Sequence, residues 1–268
     1  MKITRKIEQQ GFSLVEMAIV LVILGFVLGA LLLPLRAQRE QAAQLQTLNT
    51  LDSAKQALLG YAQQQGRLPC PAIVASFGQE SPLGGTFSPA RPNCTSQSGF
   101  LPAATLGIQP TDAQGFALDA WNNRVRYAVA ANNNSASIVN GAACGGDAAP
   151  DFTTTGNIAA VGLACLTPEL RVCNSSAGVT LTTCSAAPEA NYSINNAVAI
   201  IYSTGATGAQ AAGSLDETEN LNAVGANQID TVFVSHDISA APNEFDHLVT
   251  WISPYVLYNA MIQAGQLH

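Results

Sequence analysis

The residues best suited to bind something lie near the C-terminal end. Asp237, Glu244 and Asp246 fall within ten residues, with Asn243 between them. Calcium takes such oxygen ligands from flexible loops, so these three acids are candidate metal ligands. Their spacing matches no defined calcium motif, and solvated acids on a loop are the competing reading. Asp216, Glu217 and Glu219 read as a solvated tip of an acidic loop over 205–227. Ser235-His236-Asp237 holds the residue types of a catalytic triad. Consecutive residues on a strand point to opposite faces, so these three do not converge, and Asp246-His247 meets the same objection. There is no Gly-x-Ser-x-Gly, His-Glu-x-x-His or phosphate-cradling glycine loop. No catalytic residue is assigned, and an enzyme is not expected.

A second kind of chemistry sits at the other end. From Phe12 to Leu33 only Ser13 and Glu16 carry polar side chains in 22 residues. Such a run spans about 33 Å as a helix, enough for a bilayer core. A carboxylate at that depth costs at least about 2.5–3.5 kcal/mol, so Glu16 needs a partner or a purpose. The third set is six cysteines, at 70, 94, 144, 165, 173 and 184, all on one side of this run. An even count without Cys-x-x-Cys spacing or a neighbouring histidine reads as disulfides formed in an oxidising compartment. Fifteen connectivities are open; sequential pairing, 70–94, 144–165 and 173–184, needs only short loop closures. Six buried free thiols are the alternative.

The chain has 268 residues and a formal charge of −7, with eight acids and no Lys or Arg from Val172 onward. That sign argues against phosphate-backbone binding, which rests on Lys and Arg, so nucleic acid is not an expected partner. Leu45, Leu48, Leu51, Leu58 and Ala62 form a helical stripe ending before Gly66, with prolines at 69 and 71. The pattern predicts one long helix over 12–65. Seven prolines between 69 and 118 make that stretch loop-rich. Strands are expected at 124–129, near 158–166 and 178–183, at 196–203, at 229–235 and at 245–252. Ser253-Pro254 reads as an N-cap with proline at the first helical position, opening a helix over 255–264. The fold class is α+β: a long N-terminal helix, membrane half plus amphipathic half, with a disulfide-bonded head containing an antiparallel sheet.

Gly11-Phe12-Ser13-Leu14-Val15-Glu16, behind a basic leader with Lys2, Arg5 and Lys6, resembles the signal of type IV prepilins and pseudopilins. The resemblance implies cleavage after Gly11 by a prepilin peptidase and methylation of the new terminus at Phe12. It makes Glu16 the acidic residue that pairs with a neighbour's terminal ammonium during assembly. The segment Asp119 to Tyr127 is similar to a turn-and-strand of secretion pseudopilins, with Asn122 where they have glycine. Secretion pseudopilins can hold calcium in a C-terminal loop, so the resemblance adds slightly to the Ca2+ reading, while solvated acids on a loop stay the favoured one and no cofactor is assigned.

The resemblance divides the chain into a leader (1–11), a transmembrane or filament-core helix (12–34), an amphipathic helix (35–66) and an extracytoplasmic head (67–268). The implied function is a structural subunit, a minor pilin or pseudopilin, of a type IV pilus-like or type II secretion filament. Its partners would be other pilin or pseudopilin subunits, inner-membrane assembly machinery and, before assembly, membrane lipid. Its place would be the bacterial inner membrane, single-pass with a periplasmic head, and then a filament or the cell surface. Two alternatives remain open: an adhesin-like pilus tip subunit, and a membrane-anchored periplasmic domain that binds calcium or another ligand.

Overall fold

The computed structural model describes residues 13–82, 94–130, 151–160, 166–185, 191–208, 214–221, 230–240 and 244–267. Gly11, Phe12, Cys144 and Cys165 lie outside the described residues. The chain divides into two compact units, residues 1–45 and 46–268. A helix, α1, runs over Leu14–Gln65 and so contributes to both.

In the first unit, α1 opens with a reciprocal cap. The Glu16 carboxylate accepts from the Ser13 N–H at 2.9 Å, and the Ser13 hydroxyl accepts from the Glu16 N–H at 3.2 Å. This capping box satisfies backbone donors that a helix start otherwise leaves unpaired. The apolar side chains described here run from Leu14 to Val27 and are exposed. Among the described residues no helix is long and apolar enough to cross a membrane.

That finding corrects four expectations. Among the described residues, neither the membrane half of the fold class nor the transmembrane helix is found. The single-pass inner-membrane placement loses its support. So does the main functional reading, in which a filament subunit waits in lipid and is extracted by its helix.

The second unit is built around the C-terminal part of α1. Its buried face is Leu51, Ala54, Leu58 and Ala62, at spacings of three and four. Leu45 and Leu48, expected on that stripe, are exposed; Thr47 is buried instead and its hydroxyl accepts from the Ala120 N–H at 3.1 Å. Gly66, at φ +68°, ends the helix, and its N–H bonds the Ala62 carbonyl at 2.9 Å. Glycine reaches this left-handed conformation without a Cβ penalty.

Two sheets carry the rest, where a single antiparallel sheet was expected. The first orders β1 (Ser98–Phe100), β2 (Arg126–Val129), β5 (Ala199–Ser203) and β7 (Leu248–Ile252), all antiparallel neighbours. The second orders β4 (Tyr192–Ala197), β3 (Leu170–Cys173) and β6 (Val232–Val234). Here β3 pairs antiparallel with β4 across a register shift and parallel with β6, so this sheet is mixed. The expected strand over 196–203 is in fact the end of β4, then Val198, then β5. One apolar run thus serves both sheets. Disulfides join Cys70 to Cys94 and Cys173 to Cys184.

Three short helices complete the described elements used below: α2 (Ala103–Leu106), α3 (Leu215–Leu221) and α4 (Pro254–Gln263). The Ser253 hydroxyl caps α4 by accepting from the Val256 N–H, and Leu257, Tyr258 and Met261 face inward. Residues 157–160 are helical, where a strand was expected near 158–166. Asp151 organises the turn before them: its carboxylate accepts from the Thr153 and Thr154 N–H groups at 2.6 and 2.7 Å. Residues 178–183 form turns rather than a strand, closed by Thr180 and Thr183 hydroxyls 2.7 Å apart.

Candidate metal centre

The site grows from a polar turn. The Asp119 carboxylate accepts from the Trp121 and Asn123 N–H groups at 2.9 and 2.7 Å, and from the Ser203 hydroxyl at 2.6 Å. Asn122 occupies the turn at φ +66°, a conformation that asparagine tolerates. The Asn123 side-chain amide then donates to the Gly205 carbonyl at 2.7 Å, just beyond the end of β5. Gly205 sits at φ +63°, and a Cβ there would collide with the Asp246 carboxylate. Only glycine lets the loop lie this close to the acid.

The loop holds Asp246 directly. The Thr207 N–H donates to its Oδ2 at 2.8 Å, and the Thr207 hydroxyl to its Oδ1 at 3.0 Å. Opposite stands α3. Ser214 starts this helix: its carbonyl accepts from the Thr218 N–H at 3.1 Å, and its hydroxyl from the Glu217 N–H at 3.4 Å. The helix then places Glu217 and Asn220 inward, both buried. Glu217 Oε1 accepts from the Asp246 N–H at 3.0 Å. His247 follows Asp246 and is buried as well.

Glu217, Asp246 and His247 each bring one donor atom into a group whose members lie within 4.8 Å of one another. Such a set can in principle coordinate a metal ion. Two atoms of these residues, Glu217 Oε2 and His247 Nε2, are buried and have no hydrogen-bond partner among the described residues. Buried polar atoms are normally paired, so these two call for a ligand. Burial pushes the Glu217 carboxyl above its usual range, and the neighbouring Asp246 adds to the shift despite its N–H bond. Burial also holds the His247 imidazole down to about 4, so the ring is neutral at ordinary pH.

Of the acids singled out in the sequence, Asp246 is one of the three gathered here, and Asp237 and Glu244 are not. The Asp237 carbonyl faces His236 Nδ1 at 2.8 Å, and His236 Nε2 meets Asp216 Oδ2 at 3.0 Å while the ring stacks on Phe245. Ser235, His236 and Asp237 therefore do not form a relay. Glu217 was missed. The expectation that it belongs to a solvated tip is corrected by its complete burial. Its only sequence signal was Ser214 before a short acidic run, an N-cap pattern easily read as a loop. Glu16, as described, is part of a local cap.

Residues 8–32 match the prokaryotic N-terminal methylation motif. This is the prepilin-type signal, and it implies processing by a prepilin peptidase and association with pilus or secretion machinery. No curated protein and no solved structure matches the chain significantly.

Proposed function

We propose that this chain is an exported protein, released from its leader by a prepilin peptidase, whose disulfide-bonded head binds a divalent cation. The observation that supports it best is the Glu217–Asp246–His247 group, in which Glu217 Oε2 and His247 Nε2 are buried without a hydrogen-bond partner among the described residues. The N-terminal signal supports the route, since the matched segment contains the Gly11-Phe12 junction at which such a peptidase would act. The disulfides support an oxidising destination for the head.

Calcium, the cation favoured by the resemblance, takes six to eight oxygen ligands. Glu217 and Asp246 offer carboxylates of the right kind, whereas His247 offers a nitrogen. The donor set is therefore mixed, and the reading is of a divalent cation rather than of calcium alone.

The test uses the full-length protein expressed with the peptidase. Intact mass should show loss of residues 1–11 and gain of one methyl group. After chelation, calorimetric titration with zinc, manganese and calcium salts should give one bound ion per chain. Glu217→Gln should abolish that binding while leaving the processed mass unchanged. Failure of every cation to bind the folded protein refutes the head function; an unprocessed chain refutes the route.

A further inference from the structure

Asn220 decides which hydrogen His247 carries. Its Oδ1 accepts from the Val234 N–H at 2.7 Å, and its Nδ2 donates to the Val234 carbonyl at 2.9 Å. The amide therefore pairs with β6 as another strand would, and reversing it would place like groups against both backbone atoms. With that orientation fixed, the second Nδ2 hydrogen points at His247 Nδ1, 3.1 Å away. Nδ1 must accept. A neutral imidazole has one donor and one acceptor nitrogen, so the ring hydrogen sits on Nε2. Among the described residues, Nε2 is the buried atom without a partner.

A metal ion needs a bare nitrogen. Histidine ligands usually hand their other ring hydrogen to a carboxylate or carbonyl, which fixes the tautomer that binds. Here the second partner is an amide donor, the reverse arrangement. Loading Nε2 requires the hydrogen to move to Nδ1 and the Asn220 amide to turn away from Val234.

We infer that Glu217, Asp246 and His247 form a site for a zinc-class transition metal, and that Asn220 limits its affinity by holding His247 in the non-binding tautomer. The inference rests on the cation-binding reading and adds the metal class and the residue that controls loading. Imidazole nitrogen beside two carboxylates suits zinc and its neighbours, and places calcium second. Because Asn220 also clamps Val234, metal loading and the pairing of α3 with β6 compete for one side chain.

The experiment compares wild type, Asn220→Asp and His247→Ala as full-length, chelator-stripped proteins titrated with zinc and with calcium. The carboxylate introduced by Asn220→Asp can accept the Nδ1 hydrogen, so this variant should bind zinc at least about tenfold more tightly than wild type. His247→Ala should lose zinc binding. Nitrogen NMR of the ring, assigned by the signal lost in His247→Ala, should show hydrogen on Nε2 in metal-free wild type and on Nδ1 after zinc. That measurement decides the matter even if Asn220→Asp fails to fold, which circular dichroism would reveal. Equal zinc affinity in wild type and Asn220→Asp, a preference for calcium, or hydrogen on Nδ1 in the metal-free protein overturns the inference and leaves the cation reading standing. Absence of binding by any folded protein overturns both.

Discussion

Glu80 offers the sharpest test of what holds the head together. Its carboxylate accepts from both Arg67 terminal nitrogens at 2.8 Å, from the Tyr61 hydroxyl at 2.9 Å and from the Cys70 N–H at 3.1 Å. One side chain thus ties the last turns of α1, the chain leaving it and the first disulfide. The pair is mostly enclosed, with side chains 19% and 18% exposed. Glu80→Ala would remove the charged partner of the Arg67 guanidinium, which keeps its bond to the Leu68 carbonyl, and would remove one acceptor of the Cys70 N–H. Breaking a buried pair costs about 3–5 kcal/mol; allowing for the residual exposure, a loss of about 2–4 kcal/mol is expected. Urea unfolding at pH 7 with disulfides intact measures it.

The pH dependence adds a second check. Burial alone would raise the Glu80 carboxyl, but Arg67, the Cys70 N–H and the Tyr61 hydroxyl outweigh it and hold it below its ordinary value. A depressed carboxylate contributes stability that is present above its unfolded pKa, about 4.3, and lost as pH falls through the folded value. The gap between wild type and Glu80→Gln should therefore be full at pH 6 and shrink below pH 4. A Glu80→Ala loss under about 1 kcal/mol, or a gap unchanged down to pH 3, would refute this account.

Other perturbations probe the disulfides, the loop at Gly205 and a buried acid. Replacing Cys70 and Cys94 by serine should cost about 3 kcal/mol, and Cys173 and Cys184 slightly less because their loop is shorter, both read from melting curves. Gly205→Ala should lower the melting temperature by several degrees and weaken cation binding, since its Cβ would displace Asp246. Asp230 is raised to about 6 by burial, and its Oδ2 has no partner among the described residues. Its native form binds protons more readily than its unfolded form, so its contribution falls as pH rises from about 4 through 6. Asp230→Asn should therefore stabilise by about 1–2 kcal/mol at pH 8 and not at pH 4, as paired urea titrations would show.

The two longest helices were the most legible part of the sequence. Periodic apolar residues followed by Gly66 marked the end of α1, and Ser253-Pro254 marked the start of α4, because caps and period are local signals. The stripe was misplaced by part of a turn at Leu45 and Leu48, since which face is covered depends on the sheets and not on the helix. Sheet membership was not legible either. An apolar run through Val198 reads the same whether it lies in one sheet or passes between two. Short side chains also displaced predicted strands: Asp151 bonds its own following backbone, and Thr180 bonds Thr183, which favours turns over extension. In the site, Asp246 was found because acids cluster around it in sequence. Glu217, His247 and Asn220 converge only because α3 packs on β6 and meets Asp246 and His247 just before β7, and no local pattern marks such a meeting.

The passage of the chain through Val198 also has a mechanical meaning. The Val198 N–H bonds the Ile252 carbonyl at 2.8 Å, and its carbonyl accepts from the Ala130 N–H at 2.8 Å. The residue joining the two sheets is thus itself hydrogen-bonded to β7 and to the residue that follows β2. With a single residue between β4 and β5 there is no slack to take up a pull on either side. Tension applied through the edge at β4 is delivered straight into the centre of the four-stranded sheet. The two sheets are therefore loaded in series, each carrying the same force, and the weaker of them should yield first.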